Sequence, residues 1–127
     1  MNIFDELLAS TEIPSFVPVH FEIERGTITR NQIEGIIAGR IKERGVLSKL
    51  RPGDRVGIAA SSRGINNYDR IVRSVVDTLK AAGAKPFIFP AMGSHGGATA
   101  EGQRNVLAGY GITAETMGVE ILSSMET

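Results

Sequence analysis

Over residues 16–24, FVPVHFEIE, hydrophobic and polar positions alternate: Val17, Val19, Phe21 and Ile23 on one side, Pro18, His20, Glu22 and Glu24 on the other. That period of two predicts a half-buried strand, and Pro18, which lacks an N–H, places it at a sheet edge. His20 then lies on the solvated face. Over 29–45 the period lengthens, with Ile33, Ile36, Ile37 and Ile41 at i, i+3, i+4 and i+8, the spacing of an amphipathic helix. Asn31 with Glu34 three residues on reads as its capping box, and Gly45 as its stop. RPGDR at 51–55 is a turn, and VGIAA at 56–60 reads as a short strand buried on both faces. The strongest helical pattern spans 66–83, where Tyr68, Ile71, Val72, Val75, Val76 and Leu79 form the stripe, Asn66 or Asn67 the cap and Gly83 the close. PFIFPAM at 86–92 predicts a second buried strand, 99–111 a weaker helix capped by Thr99, and VEILS at 119–123 a final strand.

Strands alternating with helices predict an α/β fold: a mainly parallel, Rossmann-like sheet flanked by helices, joined by right-handed crossovers. The 127 residues make one domain, with 1–24 as an N-terminal arm and edge strand and 25–127 as the core. Fourteen basic residues balance fourteen acidic ones, which argues against a nucleic-acid partner. The balance is not local: residues 1–24 hold five acids and no base, and 25–55 hold eight bases and three acids, so the first segment is expected to pack beside the second. With no cysteine there is no disulfide, thiolate metal site or thiol nucleophile. Apolar runs are too short to cross a membrane and the N-terminus lacks a signal-peptide pattern, so the expected location is the cytoplasm.

Parallel strands deliver the loops that follow them to one sheet edge, where α/β proteins bind ligands. Those loops are Ser61-Ser62-Arg63-Gly64 and Gly93-Ser94-His95-Gly96-Gly97-Ala98-Thr99, and each leads into a helix N-terminus that favours anions. Six of the fifteen glycines fall between 93 and 111. Arg63 is suited to a carboxylate or phosphate, and His95 is the loops' candidate acid or base. Plainer readings exist for each: a histidine bracketing its loop, an Arg63–Asp69 surface pair, and Gly96-Gly97 as a tight turn. Neither a P-loop nor a dinucleotide-binding glycine fingerprint is present, and two histidines 75 residues apart make no metal site. Taken alone, these features describe an anion-binding α/β module without assigned chemistry.

The run PAMGSHGGATAEGQRNVLAGYGIT followed by ILSSME, together with VGIAASSRGINNYDRIVRSVVDTLKAAGA, resembles the N-terminal part of the lactate racemase family over roughly 45–127. The resemblance implies one half of a two-domain 2-hydroxy-acid racemase or epimerase, incomplete alone, whose partner is the missing C-terminal domain. It also implies a nickel-pincer nucleotide as hydride acceptor, with its lysine, nickel ligand and second histidine beyond residue 127. On this reading His95 exchanges the substrate hydroxyl's proton and Arg63 grips its carboxylate. Ser61, Ser62, Gly93, Ser94, Gly96, Gly97 and Thr99 would line the cofactor. Where the family carries Asp-x-Thr-Arg, this chain has Ala60-Ser61-Ser62-Arg63, without the acid.

Overall fold

A computed structural model describes residues 2–9, 12, 14–22 and 26–126. Two strands, β1 (Arg55–Ala60) and β2 (Lys85–Pro90), run parallel with Ile58 opposite Ile88. The final segment adds a single parallel bridge, Ile121 to Ile88, in which the Ile88 N–H donates to Glu120 at 2.9 Å and the Leu122 N–H to Ile88 at 2.8 Å. The helices are α1 (Ile3–Ala9), α2 (Ile33–Glu43), α3 (Tyr68–Ala81), α4 (Ala100–Gly109) and the short α5 (Ala114–Met117). The protein is therefore mixed α/β with a small parallel sheet.

Alternation along each strand separates two faces. Ile58, Ala60, Ile88 and Ile121 join Tyr68, Val72 and Val76 of α3, Leu107 of α4 and Met117 of α5 in one core. At roughly 25 cal/mol per Å² of apolar surface removed from water, this face supplies the main stabilisation. The opposite face carries Gly57, Ala59, Phe87 and Phe89 with no helix on it among the described residues, and Phe89 is 37% exposed. The strands are thus buried on one face, not two. Their apolar run has another cause: the Phe87 and Phe89 rings pack over Gly57, where an added Cβ would lie 3.0 Å from Phe89, and Arg55 stacks on Phe87 at 5.0 Å.

α3 follows its stripe closely, with Tyr68, Val72, Val76 and Leu79 buried. Asn67 occupies the N-cap at φ 56° without a side-chain cap bond, so the expected asparagine cap is positional only. α2, α3 and α4 close in the same way. After α2, for example, the Gly45 N–H donates to Lys42 at 3.0 Å and the Val46 N–H to Ile41 at 3.4 Å. The start of α2 differs from expectation. Gln32 Oε1 accepts from both the N–H and hydroxyl of Thr29 at 2.9 Å, while Glu34 turns to Arg70 of α3, whose Nε donates to it at 2.7 Å. That guanidinium holds the Glu34 carboxyl below its usual range.

α5 fell below the threshold of pattern reading, with only four residues. It is secured from α3, where Arg73 and Lys80 donate to the carbonyls of Thr116 and Gly118, each at 2.7 Å, at the helix's negative end. The arm also departs from expectation. Residues 16–22 form no strand and are exposed, His20 included, and Ile23 and Glu24 lie outside the described residues. Among the described residues no ion pair joins the acidic segment to the basic one.

Candidate functional site

The loop after β1 and the loop after β2 leave the same edge of the sheet, and the structure brings them into contact. Ser62 Oγ and His95 Nδ1 lie 2.5 Å apart across 33 residues of sequence. His95 is exposed, and its Nε2 has no hydrogen-bond partner among the described residues. A serine hydroxyl both donates and accepts, so it can accompany the imidazole whichever ring nitrogen carries the proton. Arg63, next in the chain, is exposed, and its guanidinium makes no ion pair among the described residues. The Arg63–Asp69 pair considered from sequence does not form.

Both loops are held from beneath by side chains that pattern reading assigned only to helix stripes or passed over. The Ser61 N–H donates to the Tyr68 hydroxyl at 2.7 Å, and the Tyr110 hydroxyl donates to the Ser62 carbonyl at 2.7 Å. The two rings meet edge to face at 5.9 Å. On the other side, Gln103 is buried in α4 and its Nε2 donates to the Gly93 carbonyl at 2.8 Å. An amide or hydroxyl in an otherwise apolar stripe is the signal that could have found them, since a buried polar atom requires a partner.

The other predicted residues divide by what already occupies them. The Ser61 hydroxyl accepts the Arg63 N–H at 3.3 Å. Thr99 is the N-cap of α4: its Oγ1 accepts from the Gly102 N–H at 3.0 Å and donates to the Gly96 carbonyl at 3.2 Å. Gly96 lies against α4 so closely that a Cβ there would sit 2.5 Å from Gly102, a spacing only glycine tolerates. Ser94 and Gly97 are exposed, with open space beside Gly97. Ser123, beyond the Ile121 bridge, was not singled out from sequence. Its buried hydroxyl has no hydrogen-bond partner among the described residues.

Comparison with protein-family models, with curated proteins and with solved structures finds no match to this chain. The residues must therefore speak for themselves on the implied cofactor. Among the described residues no three of His, Asp and Glu gather as metal ligands. What it offers at the edge is one imidazole, one unpaired guanidinium and several hydroxyls. That set suits a small anion bearing an exchangeable proton. No helix among the described residues is long and apolar enough to cross a membrane.

Proposed function

We propose that this chain is the N-terminal substrate-binding part of a 2-hydroxy-acid racemase or epimerase built on a Rossmann-like sheet, with the hydride acceptor held in part by a C-terminal domain. The observation that carries the reading is the 2.5 Å Ser62–His95 contact beside the unpaired Arg63. Arg63 grips the substrate carboxylate in a two-pronged hydrogen bond, which fixes the neighbouring carbon. When His95 Nδ1–H donates to Ser62, Nε2 carries the lone pair and accepts the substrate's hydroxyl proton. Protonated at Nε2, the imidazolium still donates Nδ1–H to Ser62, and when Nε2 returns the proton the same neutral tautomer is restored. Hydride acceptance lies outside what this chain's residues do. The uncovered Phe87–Phe89 face is a surface that a second domain could cover, which agrees with an incomplete unit.

The test uses the 127-residue chain and two ligands that differ only in the hydroxyl, 2-hydroxypropanoate and propanoate, with binding followed by NMR shifts of the 61–64 and 93–99 loops. Arg63→Ala should abolish binding of both. His95→Ala should keep carboxylate binding and lose the preference for the hydroxy acid. Equal binding of both ligands by the unaltered chain would leave a plain carboxylate- or phosphate-binding module in its place.

A further inference from the structure

The segment over 14–22 carries Phe16, Val17, Val19 and Phe21, each more than two-thirds exposed. The body of the fold has a matching vacancy in its own pattern. β1 pairs with β2 on one side and with no strand on the other among the described residues. The apolar stripe of α2 is unfinished: Ile33 is buried, but Ile36 is 36% exposed and Ile37 and Ile41 are half-covered. Ile28, Ile33, Ile36, Ile37 and Ile71 line an open cavity of about 200 Å³, room enough for an aromatic ring.

Charge points the same way. The described part of the arm holds Asp5, Glu6, Glu12 and Glu22 and no base, while α2 and its flanks carry Arg30, Arg40, Lys42 and Arg44 against Glu34 and Glu43, with Arg40 paired to Glu43 and Glu34 to Arg70, a net positive surface. Val17, Val19 and Phe21 share one side of an extended chain, and Pro18, which cannot donate to a ladder, suits an outermost strand.

We infer that a second copy of this chain supplies the missing strand. The arm of each protomer lies along the free edge of the other's β1, with Val17 and Val19 against the α2 isoleucines and Phe21 in the cavity. Docking within one chain would have the advantage of a high effective concentration, yet in the single chain the described arm residues 14–22 are exposed. Exchange of an identical element between two copies forms the same contacts reciprocally. Aromatic residues bury about 150–250 Å² each, so two reciprocal arms with their valines approach the roughly 1,200 Å² of a stable interface.

The chain has no cysteine, which allows a direct test. Light scattering on the full 127-residue chain should give twice its 13.6 kDa, and V19D/F21D should return it to 13.6 kDa with the circular dichroism of its helices retained. Mixing the single variants V19C and I36C under mild oxidation should yield a mixed disulfide between chains. A monomer at every concentration would overturn the inference, and so would a dimer insensitive to V19D/F21D. A V19C/I36C double variant that closes its disulfide within one chain at monomer mass would overturn it in favour of the chain's own arm.

Discussion

Gly102→Ala separates two physical effects of opposite sign. Gly102 is the third residue of α4, and in a helix Ala is favoured over Gly by about 0.8–1.0 kcal/mol. Considered as a helix position alone, the substitution stabilises. The structure places the new Cβ 1.8 Å from the carbonyl oxygen of Gly96, where real Cβ contacts essentially never fall below 3.0 Å. The oxygen is backbone, so no rotamer relieves the clash, and the loop must retreat by about 1.2 Å before even that limit is met. The retreat strains the Thr99 cap, worth about 1 kcal/mol, and the Gln103–Gly93 bond, worth another ~1 kcal/mol. Overpacking adds about 1–3 kcal/mol. The expected net result is destabilisation of roughly 2–4 kcal/mol, since these losses outweigh the propensity gain.

Gly109→Ala is the matched control. It lies in the last turn of the same helix, and its Cβ would meet nothing within 4 Å. It should stabilise by about 0.5–1 kcal/mol. Urea denaturation of both variants at a common m-value reads the difference as a shift in midpoint. His95 belongs to the displaced loop, so its ring resonances should also shift in Gly102→Ala and stay in place in Gly109→Ala. If the two variants moved the midpoint in the same direction, the close approach of loop and helix would be refuted.

Tyr110→Phe removes the donor to the Ser62 carbonyl and should cost about 1–2 kcal/mol in the same urea assay, with perturbed amide resonances over 61–63. Gln103→Leu should cost about 1 kcal/mol by removing the hydrogen bond to the Gly93 carbonyl, and should accelerate hydrogen exchange in the 93–98 loop. Glu34→Gln tests the α2–α3 ion pair through pH. A carboxyl whose folded value is lowered contributes above its unfolded value and loses that contribution as pH falls through the folded one. The difference in unfolding midpoint between the unaltered chain and Glu34→Gln should therefore be full at neutral pH and shrink toward zero in acid.

What the sequence made legible follows from how far each signal reaches. α3 was legible because its burial repeats along its own length, and its Gly83 stop is a local backbone event. The start of α2 was misassigned because Thr29–Gln32 and Asn31–Glu34 carry the same spacing. The choice falls to Arg70, which lies 36 residues from Glu34 and takes that carboxylate for itself. The strands were legible as strands but not in their one-sided burial, since a short apolar run looks the same whether a helix or its own aromatic rings cover it. The arm kept its strand pattern without a strand, because alternation states what a segment can pair with and not whether a partner is beside it.

The site shows the same division more sharply. That His95 and Ser62 emerge at one edge follows from parallel strands alone, so their meeting was within reach of the sequence. Tyr68, Tyr110 and Gln103 were not, because each spends its apolar part in the core and its polar tip on a loop backbone 7, 48 or 10 residues away. Their placement joins the loops to the core. Tyr68 is itself a member of the buried cluster, and Tyr110 packs against it. A change deep in α3 or α4 therefore reaches the edge through a ring and a single hydrogen bond, without any exposed residue being altered. Glycine enrichment between 93 and 111 belongs to this support as much as to ligand access. Gly96 and Gly102 let the His95 loop lie flat on α4, while Gly93 and Gly97 open onto free space.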